Sequence, residues 1–302
     1  MLDFRLLNRG QIEDEKWNHA VLSDPNFRHY PLTYYLDHAA PEWVGLVGGE
    51  YAWVWPLPLK RFPINRVVQP LLTQQLGPYG ATLDEGEMLA AWRWICTAFR
   101  QVRIKFNDRY HKLDFSKRRH TNIELSLNES IDSLRMRYNR SVQSNLNKAQ
   151  KFRVTVTQDT AFSDWGIRTF KQGRGKGIQE LDGAFFRAVK DIYCAFESLG
   201  QSRTYAAHFD GKCCAQVMLL ISNRRLLLFF SASNKAARSV GAMHAILDAI
   251  IEEHCGSDGV LDFEGSDNEQ LAFFYRSFGG SEKIYLQAES ARLIWPLNRL
   301  LK

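Results

Sequence analysis

The chain is short of the residues that mark export, metal binding or membrane passage. Its five cysteines (Cys96, Cys194, Cys213, Cys214 and Cys255) are odd in number and include no Cys-x-x-Cys pair. Neither a disulfide framework nor a cysteine zinc site is expected from them. Eight histidines show no His-x-His or His-x-x-x-His spacing, so no metal site is expected there either. No apolar run approaches the roughly 20 residues that a membrane span needs. The opening MLDFRLLNRGQIEDEKW lacks the charged-then-apolar layout of a signal peptide. These absences set the expectation of a cytoplasmic protein with reduced thiols, no metal and no membrane span. A Gly-x-Ser-x-Gly elbow is missing too, which leaves serine-hydrolase chemistry without support.

What is present suits a globular protein with generous cores. Of 302 residues, 45% are hydrophobic, 13% aromatic and 24% charged, a length suited to two domains of roughly 150 residues each. The net charge of +6 fits a partner that carries phosphate, and DNA is not among the partners expected. Lys117, Arg118 and Arg119 form one basic cluster. Arg135, Arg137, Arg140, Lys148, Lys151 and Arg153 form a second. Leu134, Tyr138, Val142 and Leu146 recur at helical spacing, which predicts one amphipathic helix from Ile131 to about Lys151 with its cations outward. That basic face reads either as solvated or as a contact for substrate phosphates through Arg140 and Lys148.

The same plan runs through the chain twice. In the second half a strand at Tyr205–His208, a turn at Asp210-Gly211, the strand CCAQVMLLIS, a turn at Asn223-Arg224 and the strand LLLFFSAS lead through the helix VGAMHAILDAIIEEHC to VLDFEG. In the first half WVGLV, a turn at Gly48-Gly49, the strand YAWVWPLPL, a connection through Pro63 and Asn65 and the strand VVQPLLTQQL lead through EGEMLAAWRWICTAF to VRIKF. Gly49 answers to Gly211 and Phe106 to Phe263. Antiparallel strands, a crossover helix and a returning strand make an α/β layer unit. The boundary is expected at 127/128, inside HTNIELSLNESIDSLRMRYNRSVQSNLNKAQK.

Four groups of residues are candidates for chemistry. In VLDFEGSDNEQLAFFYRSFGG, a short strand breaks at Gly265 and Ser266 before a helix with Leu271, Phe274, Tyr275 and Phe278 on one stripe, capped by Asp267 or Asn268 and ended by Gly279-Gly280. Asp262 and Glu264 alternate with Phe263, so they are expected on one face. There they would raise each other's pKa and suit a general base, unless nearby Arg or Lys residues bridge them. Gln74 and Gln75, with Gln69, either line a pocket for a polar acceptor or end a strand. The stretch GRGKG at 173–177 lies between two predicted helices, so it reads as a connector or as an anion site, not a P-loop. His208 and His244 have no paired acid at readable spacing and are read as structural.

At these residues the second half resembles the GNAT acyl-CoA N-acyltransferase superfamily. LLLFFSASNKAARSVGAMHAILDAIIEEH is similar to that fold's strand, donor loop and helix. Asn268, Ala272, Phe274-Tyr275 and Phe278-Gly279 are similar to its next strand and helix. Two such domains in tandem resemble the FemAB-like members. The fold this implies is α/β: two GNAT-like domains in tandem, each a mixed, mostly antiparallel sheet flanked by helices. Residues 1–127 would be the divergent acceptor-side domain and 128–302 the donor-side domain.

The resemblance implies an N-acyltransferase that moves an acyl or aminoacyl group, with acyl-CoA favoured as donor. The acceptor would be a small-molecule or nucleotide-linked amine held between the domains. Strands CCAQVMLLIS and LLLFFSAS would splay and free backbone N–H groups for a carbonyl. Donor contacts would come from Ser231, Ser233, Arg238, Ser239, Val240, Gly241 and Asn268, and Tyr275 would protonate the departing thiolate. Ala236, Ala237 and Val240 stand where family members carry glycines. That departure keeps two alternatives open: a tRNA- or nucleotide-sugar-dependent aminoacyl ligase, and a non-catalytic binding protein of the same fold. The tRNA form is the less favoured, because the long helical arm of typical FemAB aminoacyltransferases is missing from the chain.

Overall fold

The computed structural model describes residues 4–62, 64–159, 161–264 and 267–292. The turn at Pro63 and the break at Gly265 and Ser266 lie outside them. The chain divides into two units, residues up to 120 with those from 284 onward, and residues 121–283. The expected boundary at 127/128 falls a few residues beyond that division, and the chain's last strand belongs with the first unit.

In chain order the elements are β1 (Phe4–Asn8), α1 (Asp14–Leu22), α2 (Thr33–Ala39), β2 (Trp43–Gly48), β3 (Trp53–Lys60), β4 (Arg66–Val68), β5 (Tyr79–Gly80), α3 (Glu85–Ala98) and β6 (Gln101–Lys105). Then come β7 (Ser116–Ser126), α4 (Ile131–Met136), α5 (Arg140–Lys151), β8 (Thr155–Asp159), α6 (Asp164–Gln172), α7 (Gly183–Ser198), β9 (Ser202–Phe209), β10 (Lys212–Ser222) and β11 (Arg225–Ser233). The chain continues with α8 (Lys235–Val240), α9 (Ala242–His254), β12 (Val260–Asp262), α10 (Glu269–Arg276) and β13 (Ser281–Ala291). None of the described helices is long and apolar enough to cross a membrane.

The first unit's sheet runs β1, β2, β3, β4, β6, β13, with β5 on β3; only β4 and β6 pair in parallel. In the second unit the sheet runs β7, β12, β11, β10, β9, β8, and only β11 and β12 pair in parallel. The parallel pair in each follows a helical crossover, α3 in one and α8–α9 in the other. The repeated plan of the sequence is therefore the repeated topology of the fold. Each sheet is mixed and mostly antiparallel, flanked by helices.

Local chemistry explains the second unit's register. Both hairpins close with consecutive left-handed residues, Asp210 (φ 50°) with Gly211 (φ 71°) and Asn223 (φ 47°) with Arg224 (φ 62°). Such turns match the twist of the flanking strands and lock their pairing. Residues Cys214–Leu220 of β10 are buried throughout, so both faces of that strand are covered. One face carries Ala215, Val217 and Leu219 into a core with Ile246, Leu247, Ile250 and Ile251 of α9. On the other side α6 and α7 pack against the sheet, and Gln216 Oε1 accepts from the Gly166 N–H at 2.9 Å.

Two elements differ from the sequence reading. The predicted helix from Ile131 is two helices, because Asn139 caps α5 by accepting from the Val142 N–H (3.0 Å), and its own N–H donates to the Ser277 carbonyl. Leu134, Tyr138 and Val142 still reach the core, while Arg140 and Lys148 remain exposed. Of the predicted strand VVQPLLTQQL only Val67 and Val68 lie in a strand, the end of β4, and Leu76 makes an isolated bridge to Phe106.

Candidate functional site

Strands β11 and β12 pair only from Arg225↔Val260 to Leu227↔Asp262. Beyond Leu227, β11 continues to Ser233 beside β10 alone, so its backbone N–H groups on the β12 side have no strand to meet. The splay thus lies between β11 and β12, not between β10 and β11 as expected. The Asn223-Arg224 turn is the reason, since it holds β10 and β11 together from their joined ends.

A cavity of about 500 Å³ opens at this divergence. β11 gives it Leu228, Ser231 and Ser233; α8 gives Ala237 and Arg238; α9 gives Met243, His244 and Leu247. Asn268, with Gln270, Leu271, Phe274 and Tyr275 of α10, closes one side, and Arg174 of the GRGKG connector reaches in from another. Apolar walls and a few convergent polar groups, with no lining carboxylate among the described residues, make this the candidate ligand site.

Tyr275 is buried, its ring stacked on Phe263 with centroids 4.6 Å apart. Its hydroxyl makes no hydrogen bond among the described residues. Burial first, then the Glu264 carboxylate, push the phenol well above its ordinary value, with Arg174 opposing. It is a proton donor at neutral pH. His244 stands edge-on to Phe274 at 5.0 Å. Burial, helped by the Lys148 cation, lowers its pKa to about 4, so it is a neutral imidazole. A neutral imidazole can accept a hydrogen bond.

Asp262 faces away from this chemistry. It is fully buried, paired with Arg225 at 2.8 Å, and accepts from Asn122 Nδ2 at 2.9 Å; Arg225 also meets Glu124 at 2.9 Å. Strand β12 stops at Asp262, and Glu264 takes a left-handed φ of 54°. The alternation that would put the two carboxylates on one face therefore stops short of Glu264. The Glu264 N–H instead donates to Asp262 Oδ1 at 3.0 Å.

The donor loop expected at 234–241 is mostly helix. Asn234 caps α8 by accepting from the Ala237 N–H, the Ser239 hydroxyl donates to the Ala236 carbonyl at 2.8 Å, and Val240 is buried in the core. Gly241 joins α8 to α9 in the left-handed region (φ 73°), and a Cβ there would collide with the Asn145 carbonyl of α5. Ser231, Ser233, Arg238, Asn268 and Tyr275 thus meet at the cavity, whereas Ser239, Val240 and Gly241 do not line it. Asn268 also caps α10, its side chain accepting from the Gln270 and Leu271 N–H groups.

Gln74 and Gln75 lie in the first unit. Gln75 donates to Gln74 Oε1 at 2.7 Å and accepts from the Asp108 N–H at 3.0 Å. Among the described residues no group of three or more His, Cys, Asp or Glu gathers as for a metal.

The acetyltransferase (GNAT) domain profile matches residues 133–270, the stretch that builds most of this cavity. Over 98% of the chain, the fold is similar to a crystal structure of FemX, with a TM-score of 0.66, 14% identity and 99% of that chain covered. A tandem GNAT protein from the clavulanic acid biosynthesis pathway aligns over 95% of this chain and 98% of its own, with a TM-score of 0.52 and 12% identity. The chain has a FemAB-like tandem GNAT fold. The structure of L-PGS from Bacillus licheniformis is similar as well, with a TM-score of 0.55, 12% identity and 96% and 95% of the two chains covered. No curated protein sequence matches the chain.

Within this tandem GNAT fold, nine of the cavity's lining residues were not among the site candidates of the sequence, and three of these, Arg174, His244 and Gln270, are polar. Arg174 was signalled by GRGKG, read there as a connector or an anion site. His244 gave no signal, because its neighbours in the cavity lie far away in the chain.

Proposed function

We propose that this protein is a cytoplasmic N-acyltransferase that holds an activated acyl or aminoacyl donor in the second unit's cavity and passes the group to an amine. The observation that carries this reading is the unpaired edge of β11 beside a buried, protonated Tyr275 with a free hydroxyl. The donor's carbonyl would lie against the β11 N–H groups, which polarise it and support the oxyanion as the amine adds. Collapse of that adduct breaks the bond to the leaving group, and the Tyr275 proton neutralises the departing anion. Glu264, near enough to influence Tyr275, would take the amine's proton, with Asp262 acting only through its hold on the Glu264 backbone. Positioning, proton transfer and oxyanion support suffice for this reaction.

Acyl-CoA is the favoured donor and a small or nucleotide-linked amine the acceptor. The helical 235–240 segment, which offers no open glycine loop for a pyrophosphate, favours a second reading. On it, the donor is an aminoacyl group carried on RNA, with Arg140 and Lys148 of α5 meeting the phosphates. Transfer assays on the purified protein, with acetyl-CoA, longer acyl-CoAs and aminoacyl-tRNA tested separately against a panel of amines, decide between them. Binding of a donor without turnover of any amine would favour the non-catalytic alternative.

A further inference from the structure

One end of the first unit's sheet gathers cations from four of its elements. The last pair of β3 and β4 is Lys60↔Arg66; Arg66 stands opposite Gln101 of β6, which stands opposite Ala291 of β13. Lys60, Arg61, Arg66, Arg100 and Arg292 therefore lie along or just beyond one row. Backbone bonds tie them there, the Arg100 N–H donating to the Asn65 carbonyl at 3.2 Å and the Arg292 N–H to the Arg100 carbonyl at 2.8 Å. Arg66 is half-buried and the other four are exposed. Among the described residues Glu42, 2.6 Å from Arg61, is the one carboxylate that pairs with any of the five. The guanidinium groups of Arg66 and Arg292 donate instead to the carbonyls of Phe62 and Thr97.

Phe62 lies in the connection from β3 to β4, flanked by Lys60, Arg61 and Arg66, and is 89% exposed. No other large apolar residue among those described is as exposed. The C-terminal end of α3 favours cations such as Arg100 and Arg292, but a helix dipole does not account for a phenyl ring left in water among them. Scattered exposed apolar side chains need no explanation. A projecting ring with cations on the neighbouring strands does, because that pairing matches a bilayer interface, where cations meet lipid phosphates and the ring passes beneath them.

We propose that this end of the first unit docks on an anionic lipid surface, with Phe62 entering the headgroup layer and the five cations meeting the phosphates. Base stacking calls for an aromatic ring set along a groove, and the open position of Phe62 favours lipid over nucleic acid. None of these residues lines the second unit's cavity, so the inference stands apart from the transfer reading.

Sedimentation of the full-length protein with vesicles tests it, using phosphatidylcholine alone or with about 30% phosphatidylglycerol, at about 50 and 500 mM salt. Binding is expected on the anionic vesicles only and should weaken at the higher salt. Phe62→Ser should weaken it about 10-fold at unchanged charge, and Phe62→Trp should retain it. Lys60→Ala combined with Arg100→Ala should weaken it about 10- to 30-fold. Lys151→Ala combined with Lys212→Ala removes the same charge from exposed positions of the second unit and should leave it unchanged. Every substituted side chain is exposed, so circular dichroism should not change. Absent binding to the anionic vesicles, equal loss in the two double variants, or binding indifferent to Phe62→Ser overturns the proposal. A single-stranded oligoribonucleotide bound through Lys60 and Arg100, with no binding to vesicles, assigns the surface to nucleic acid and overturns it too.

Discussion

Replacing Gly241 with alanine should destabilise the second unit far more than replacing Gly256, although both glycines have nearly the same backbone. Their φ values are 73° and 70°, so each alanine variant carries the left-handed penalty of about 1 kcal/mol. At Gly256 nothing lies within 4 Å of a new Cβ, whereas at Gly241 it would collide with the Asn145 carbonyl. Forcing two packed helices apart adds about 1–3 kcal/mol. Gly241→Ala should therefore cost roughly 2–4 kcal/mol and Gly256→Ala about 1 kcal/mol. Urea unfolding of both variants measures the difference, and hydrogen exchange over α8 and α9 checks that the loss is local. Equal costs would refute the packing argument. If Gly241 were present to let a ligand approach, its alanine variant would lose donor affinity while matching Gly256→Ala in stability.

Tyr275→Phe should lower kcat about 10- to 1000-fold with little change in donor binding, and an unchanged kcat in the transfer assay would remove the tyrosine as acid. Asp262→Ala strands the buried Arg225 beside Glu124 alone and should cost about 3–5 kcal/mol, read by denaturant unfolding; a cost below about 1 kcal/mol would mean the network is solvated. His244 has a folded-state pKa of about 4, below the ordinary value near 6.5. The unfolded chain therefore binds the extra proton first, and stability should fall as pH drops from about 6.5 toward 4. His244→Gln should flatten that part of the profile, and an unaltered slope would contradict the buried, neutral imidazole. Burial raises the Cys213 thiol to about 11, so alkylation near pH 8 should be slow, as timed by mass spectrometry.

The order of elements was legible because its signals are local. Asp210-Gly211 and Asn223-Arg224 announce hairpins. Asp84 and Glu87 form a reciprocal capping box at the start of α3. Apolar spacing then separates the crossover helices from the strands. What escaped depends on distance along the chain. Asp262 is bridged by Arg225, the alternative its alternation with Phe263 and Glu264 left open, but neither that arginine nor Asn122 could be named as the partner because both lie far from it in sequence. Asn139 divides a helix whose apolar stripe continues unbroken across the gap. The splay moved to the other side of β11 because a two-residue turn outweighs a family likeness. Of the candidate site, the half supplied by β11, α8 and α10 could be read, since each contributes a short contiguous run. Arg174 and His244 could not, since nothing in periodicity brings a connector and a helix start to one cavity.

The closing strands of the two repeats carry a practical consequence. β7 follows the first repeat but pairs with β12, and β13 follows the second but pairs with β6. A fragment cut at residue 127 would leave β6 with a bare edge and carry an orphaned strand at its end, an invitation to self-association. Isolating the cavity-bearing unit for crystallisation or screening calls for residues 121–283 instead. The complementary piece is discontinuous, and rejoining it would need a linker from residue 120 to residue 284.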